Sequence, residues 1–238
     1  MGKDSIMQED FFIQFVLQKY PELPHDFHFS STSFFGLQKK CFEAFQHLSL
    51  ECKKVLGYSL QILSGKRSFE RQKLIWNEKI LGLRPIEDEK GQVFPINFFS
   101  SSHELIFTIL RWSAFPSLSR HHWGSDLDIL PDIPGPKRLI LEDWTEGAYQ
   151  DLHAFLEEKL RDFGFFRPYI KTKSEGIAPE PWHLSFKDIA TQWENIITYD
   201  LVMKFLETPQ AQNPPILLWK EIRPLMPSIF SKYFLLAP

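Results

Sequence analysis

The chain has 238 residues, a net charge of −3 and 43% hydrophobic residues, including 23 Phe and 7 Trp. That composition supports a sizeable core and excludes a disordered chain. The near-neutral charge gives no field to draw nucleic acid or an anionic membrane, and no run approaches the ~20 apolar residues that span a bilayer.

In chain order, residues 1–10 lack the apolar core and cleavage site of a secretory leader, so the chain as it stands reads as soluble. Phe11, Phe12, Phe15 and Val16 recur at helical spacing after Asp10, and Pro21 and Pro24 end that helix. A second helix is predicted from about Phe34 to Val55. Leu37, Cys41, Phe42, Phe45 and Leu48 share one face, and Gly57 closes it. Cys41 and Cys52 offer neither a disulfide framework nor a C-x-x-C spacing, so they read as packed thiols.

Tyr58, Leu60 and Ile62 alternate with polar residues and predict a strand. It runs into Ser64-Gly-Lys-Arg-Ser-Phe-Glu-Arg-Gln72, where Ser68 can cap a helix reaching about Leu81, with Gly82 as its stop. Residues 83–103 read as a loop of a length that suits the rim of a cleft. A short helix from Glu104 to Trp112 precedes Ser119-Arg-His-His-Trp-Gly-Ser-Asp-Leu-Asp128, which enters a strand over residues 126–130.

After a Pro-rich turn at 131–136, Ala148, Leu152, Phe155, Leu156, Leu160 and Phe163 mark a helix ended by Gly164. A strand over 165–170, a polar turn at 171–176 and an extended segment over 177–186 follow. Residues 188–238 are helical, with breaks at Pro214-Pro215, Pro224 and Pro227. The mixture lacks a βαβ rhythm and predicts an α+β fold. We expect one domain over residues 1–238. Its core spans about 55–188, with a helical N-terminal part (about 8–55) and a helical C-terminal part (about 188–238) packed on it.

Two imidazoles and a carboxylate, with water in the fourth position, form a catalytic zinc site. The histidines and acids of residues 119–128, together with the histidine of Glu180-Pro-Trp-His183, are possible ligands for that set, and a spare glutamate is then free to handle protons. On chemistry alone His122 rivals His121, and Asp126, on the same strand face, rivals Asp128. Glu180 and His183 point to opposite faces of a regular strand, so the chain must kink near Pro181 for both to serve one site. Arg67, on a tight turn, is shaped to hold a carboxylate or a developing oxyanion.

The pattern Ser119-x-His121-x-x-Gly124-x-x-x-Asp128 with Glu180-x-Trp182-His183 resembles the signature of the VanY-type zinc D-alanyl-D-alanine carboxypeptidases. That family lies in the group that also holds lysostaphin-type enzymes and the hedgehog signalling domain. Ser64-Gly65-x-Arg67-Ser68-x-x-x-Gln72 is similar to the family's upstream substrate-binding motif. The resemblance covers the central half of the chain.

It implies a small antiparallel sheet carrying the zinc site and packed by helices. It assigns one zinc ion per chain to His121, Asp128 and His183, the general base to Glu180, and binding of the transition state to Arg67. Ser119 and Gln72 take substrate-binding roles, and Trp182 packs beside the ligands. The second nitrogen of each ligand histidine should donate to a carbonyl or carboxylate, with Asp126 one candidate. Two positions depart from the family. Lys66 stands where an aromatic or other residue is common, and Asp126 stands where a small apolar residue is common, adding negative charge near the metal.

The implied activity is hydrolysis of a peptide bond to a D-amino acid in a peptidoglycan stem peptide or muropeptide. L,D-carboxypeptidase activity, cross-link endopeptidase activity and a non-catalytic zinc-binding module are the alternatives, and a retained Glu180 favours catalysis. The substrate class points to the cell envelope or periplasm. The chain's start, read as lacking a leader, leaves the cytoplasm as the other location.

Overall fold

The fold follows from one buried strand and the turns at its two ends. In the computed structural model, residues 36–234 are described apart from 89, 136, 138 and 171–175. The helix expected around Phe11–Val16 lies outside the described residues. Among them, four strands form one antiparallel sheet in the order β1 (Leu60–Ser64), β4 (Asp126–Pro131), β6 (His183–Phe186), β5 (Phe165–Phe166). A separate hairpin pairs β2 (Ile86–Glu87) with β3 (Val93–Phe94).

All six residues of β4 are buried. Leu127 and Ile129 alternate with Asp126 and Asp128, so one face is apolar and the other carries two carboxylates. Helix α4 (Gly147–Lys159) packs on β4, and α1 (Lys39–Leu56) packs on both α4 and β1. From α1 come Cys41, Phe45, Leu48 and Cys52, all buried, and Gly57 ends the helix at φ +86° as the sequence predicts. Both cysteines are free thiols.

Helix α2 (Phe69–Ile80) starts where Ser68 accepts from the Arg71 N–H. Its outer side is clasped by the C-terminal part of the chain. Lys73 Nζ donates to the Ala211 carbonyl at 3.0 Å, Trp76 Nε1 to Leu217 at 3.2 Å and Asn77 Nδ2 to Pro215 at 3.0 Å. Helices α3 (Ser102–Trp112), α5 (Lys187–Ile196), α6 (Tyr199–Leu206), α7 (Pro209–Gln212), α8 (Trp219–Ile222) and α9 (Met226–Ile229) complete the shell. No helix among the described residues is long and apolar enough to cross a membrane.

The mixed fold expected from the sequence is what the chain adopts, with three local differences. The stretch expected as a loop over 83–103 contains the β2–β3 hairpin and a 3-10 turn at Ile96–Phe98. The strand expected over 165–170 is only two residues long. The extended segment expected over 177–186 becomes strand only at His183, because a turn closes first: His183 N–H donates to the Glu180 carbonyl at 3.1 Å.

Candidate active site

Four segments bring the chemistry together. The first follows β1, whose pairing with β4 slips between Ile62 and Ser64, so that Ser64 stands opposite Asp128. This irregularity throws the 65–67 turn over the end of β4. There the backbone N–H of Arg67 donates to the His121 carbonyl at 3.0 Å. The second segment is the 3-10 turn Arg120–Trp123, which passes into β4 through Gly124 at φ +69°. A Cβ there would lie 3.3 Å from the Gly36 carbonyl oxygen, so the turn needs glycine for conformation and for space. The third is β4, with Asp128 directly across from His183 on β6. The fourth is the Glu180–His183 turn.

His121 turns Nδ1 to the Gly65 carbonyl at 2.8 Å, which leaves Nε2 facing Asp128 Oδ2 at 3.3 Å. His183 donates Nε2 to Asp126 Oδ1 at 2.9 Å, which leaves Nδ1 facing Asp128 Oδ1 at 3.2 Å. The latter contact is out of line for a hydrogen bond, so Asp128 Oδ1 is a buried acceptor with no donor. All three residues are buried, and one ligand atom from each lies within 4.8 Å of the others. Ligands on a tetrahedral zinc, with bonds of ~2.0 Å, sit about 3.3 Å apart. The donor set of two imidazoles and a carboxylate suits such an ion, and Asp128 meets the two imidazoles at 3.3 and 3.2 Å, each through a different carboxylate oxygen.

The rival residues occupy different places. His122 Nδ1 pairs with the Arg67 carbonyl at 2.7 Å, and burial lowers its pKa to about 3. Asp126 sits behind His183 as its hydrogen-bond acceptor, on the side away from Asp128. This is the acceptor role the sequence offered it.

Glu180 Oε2 lies 3.5 Å from His183 Nδ1. Burial, reinforced by the Asp128 charge and opposed by His183 and Arg67, pushes its carboxyl up to about 7. The kink at Pro181 required for Glu180 and His183 to share a site is the observed turn. His183 itself is pushed up to about 10: burial alone would lower it, but the contacts with Asp126 and Asp128 outweigh burial. A cation bound at Nδ1 would displace that proton.

Arg67 donates Nη1 to Gln72 Oε1 at 2.8 Å and Nη2 to Ser64 Oγ at 3.1 Å. Burial depresses its pKa while Asp128 and Glu180 counteract that. Gln72, expected to touch substrate, is fully buried. Its amide is committed to Arg67 and, at 2.6 Å, to the Ala114 carbonyl, so its contact is with the arginine. Ser119 does line the cleft, as do Trp112, Tyr169 and Trp182. Trp182 stacks at 6.3 Å on Trp112, beside the ligands as expected.

The cleft over these groups has a volume of about 360 Å³. Lys79, Arg84, Glu87, Asp88 and Gly91 form its outer wall, so the 83–103 stretch supplies part of the rim. Sequence reasoning missed Arg120, Ser185, Glu194 and Tyr169. Tyr169 places its ring edge-on to His183 at 5.0 Å and accepts the Glu180 N–H at its carbonyl, at 2.6 Å. No spacing rule links these four to the site, although an arginine inside the histidine motif was a signal that could have been pursued.

A family model described as VanY, D-alanyl-D-alanine carboxypeptidase, matches residues 35–189, and the chain belongs to this family. An uncharacterized protein of Haemophilus influenzae is 36% identical over 110 residues, covering 37% of this chain and 84% of that protein. A D-alanyl-D-alanine carboxypeptidase of Enterococcus faecalis is 27% identical over 130 residues, covering 54% of this chain and 40% of that protein. The chain thus spans less than half of the Enterococcus relative. Among solved structures, a variant of the vancomycin resistance D,D-pentapeptidase VanY in complex with Zn(II) is similar at 22% identity and a TM-score of 0.47. The match covers 79% of this chain and 95% of that one.

Proposed function

We propose that this chain is a zinc-dependent peptidase that hydrolyses the bond to a terminal D-amino acid in a peptidoglycan stem peptide. The observation that carries the reading is the convergence of His121, Asp128 and His183 ligand atoms within 4.8 Å, beside a carboxylate with no ligand duty. Family membership supplies the substrate class. His121 would hold the ion through Nε2, His183 through Nδ1 and Asp128 through its carboxylate. Bound there, zinc supplies Lewis acidity toward the scissile carbonyl and makes a water nucleophilic near neutral pH.

The chain's own residues do the rest. Glu180, with its affinity for a proton raised to about 7, takes the proton from the attacking water and returns it to the leaving amine. Arg67 holds the negative charge that develops on the carbonyl oxygen, and Gln72 and Ser64 keep its guanidinium aimed. Ser119 offers a hydroxyl to the peptide at the cleft floor. Trp112 and Trp182, stacked on each other, line the same cleft as Glu180 and give it an apolar wall. The helical C-terminal part belongs to the same domain as the core and holds α2 in place. The substrate class supports the cell envelope as the enzyme's place of action, with the cytoplasm as the alternative.

Incubation of zinc-loaded protein with defined muropeptides, followed by mass spectrometry, tests the reading. Loss of one alanine from a pentapeptide stem is expected. Cleavage of a tetrapeptide stem alone would replace it with L,D-carboxypeptidase activity, and cleavage of dimers alone with endopeptidase activity. No cleavage by zinc-replete protein would reject it.

A further inference from the structure

The carboxylate that departs from the family pattern is built into the fold with unusual care. Asp126 and Asp128 lie two apart on one face of β4 and flank the His183 ring on opposite edges. Asp126 is fully buried. Its Oδ1 receives His183 Nε2 at 2.9 Å and Arg120 Nε at 2.9 Å, and its Oδ2 receives the Ser125 hydroxyl at 2.5 Å.

Arg120 is itself 3% exposed. It donates Nη2 to Ser185 Oγ at 2.7 Å and Nη1 to Glu194 Oε1 at 2.5 Å, and its guanidinium lies 4.4 Å from the Trp123 ring centre. Each hydrogen-bonding arm of the guanidinium therefore has an acceptor, from β4, β6 and α5 in turn. A lone second carboxylate beside Asp128 would repel it and hold His183 poorly. Paired with Arg120, which shares Oδ1 with His183 Nε2, Asp126 keeps its acceptor geometry while the guanidinium offsets its charge.

We propose that Asp126, fixed by Arg120, is a positioning residue that holds the His183 imidazole with Nε2 protonated and Nδ1 turned toward Asp128, and so sets the zinc affinity of the site. The inference rests on the reading of His183 as a metal ligand. It predicts a unit of two residues. Asp126→Ala alone strands a buried guanidinium, whereas Arg120→Leu with Asp126→Ala removes both charges and returns position 126 to a small apolar residue.

The test is zinc affinity, measured by competition with a chromophoric chelator on the full chain. The Arg120→Leu/Asp126→Ala variant is expected to bind zinc about 10- to 100-fold more weakly than the wild type. Asp126→Asn, which keeps an acceptor oxygen, is expected to recover most of that loss. An unchanged affinity in the double variant would overturn the proposal. Should the double variant fail to fold, nitrogen-15 NMR of the zinc-loaded wild type decides: a His183 ring protonated at Nδ1, or with no slowly exchanging proton at Nε2, also overturns it. His183→Ala separates the two levels. If it binds zinc as tightly as wild type, the ligand assignment itself is wrong and the proposal falls with it.

Discussion

Arg67 Nη1 donates to Gln72 Oε1 at 2.8 Å, so the cation that faces the cleft is aimed by an amide on the first turns of α2. Gln72 Nε2 is anchored in turn on the Ala114 carbonyl, just beyond α3. Arg67→Ala should lower kcat/KM by about 10²–10³, the scale for one strong donor at a developing oxyanion, without loss of zinc. Gln72→Ala should cost about tenfold, and the double variant should match Arg67→Ala, because the amide acts only through the guanidinium. Steady-state kinetics of the four proteins measure the coupling; additive losses would show that Gln72 has a separate role.

Glu180→Gln should retain one zinc per chain and lose about 10²–10⁴ in kcat, since the amide cannot accept the proton of the attacking water. Metal analysis alongside turnover separates this from a ligand variant such as His121→Ala, which should lose both.

The raised carboxyl of Glu180 also has a stability signature. Its ordinary value is ~4.3 and the folded value is about 7. A carboxyl raised in this way contributes stability that is complete below its ordinary value and is lost as pH rises through the folded one. After removal of metal by a chelator, Glu180→Gln should therefore be more stable than wild type by about 1–3 kcal/mol at pH 8. The two should converge near pH 4–5. Urea unfolding at the two pH values checks the sign; a gap that widened on acidification would refute it.

Gly164, at φ +77°, closes the helical run before β5, and a Cβ there would lie 2.9 Å from the Phe186 ring at the end of β6. Gly164→Ala should destabilise the fold by about 1–3 kcal/mol through backbone strain and that contact. Thermal unfolding should show a lower Tm, while kcat of the zinc-loaded protein changes little.

Much of this architecture is legible in the chain because its signals are local. Periodicity marks α1 and α4, the Ser68 cap and the Gly82 stop bracket α2, and Gly57, Gly124 and Gly164 mark turns with positive φ. The alternation Asp126-Leu127-Asp128-Ile129 marks the strand that carries the site. What was hidden depends on pairing over distance. Arg120 meets Ser185 and Glu194, 65 and 74 residues away, and alone in the sequence it looks like a solvated side chain. The bonds of Gln72 with Arg67 and with the Ala114 carbonyl, 42 residues away, are likewise invisible in the sequence. The β2–β3 hairpin is too short, two residues a side, for alternation to declare it. Residues 177–182 look extended because Pro181 disfavours helix, yet the same proline sits inside the turn that brings Glu180 back to His183.

The Gly65–Arg67 and His121–His122 turns are stitched by three bonds: His121 Nδ1 with the Gly65 carbonyl, the Arg67 N–H with the His121 carbonyl, and His122 Nδ1 with the Arg67 carbonyl. An insertion in either turn would displace a metal-facing imidazole and the cleft arginine at one stroke. Length variation that retunes substrate choice should therefore accumulate in the 83–101 rim, where the chain can grow outward while the floor keeps its shape.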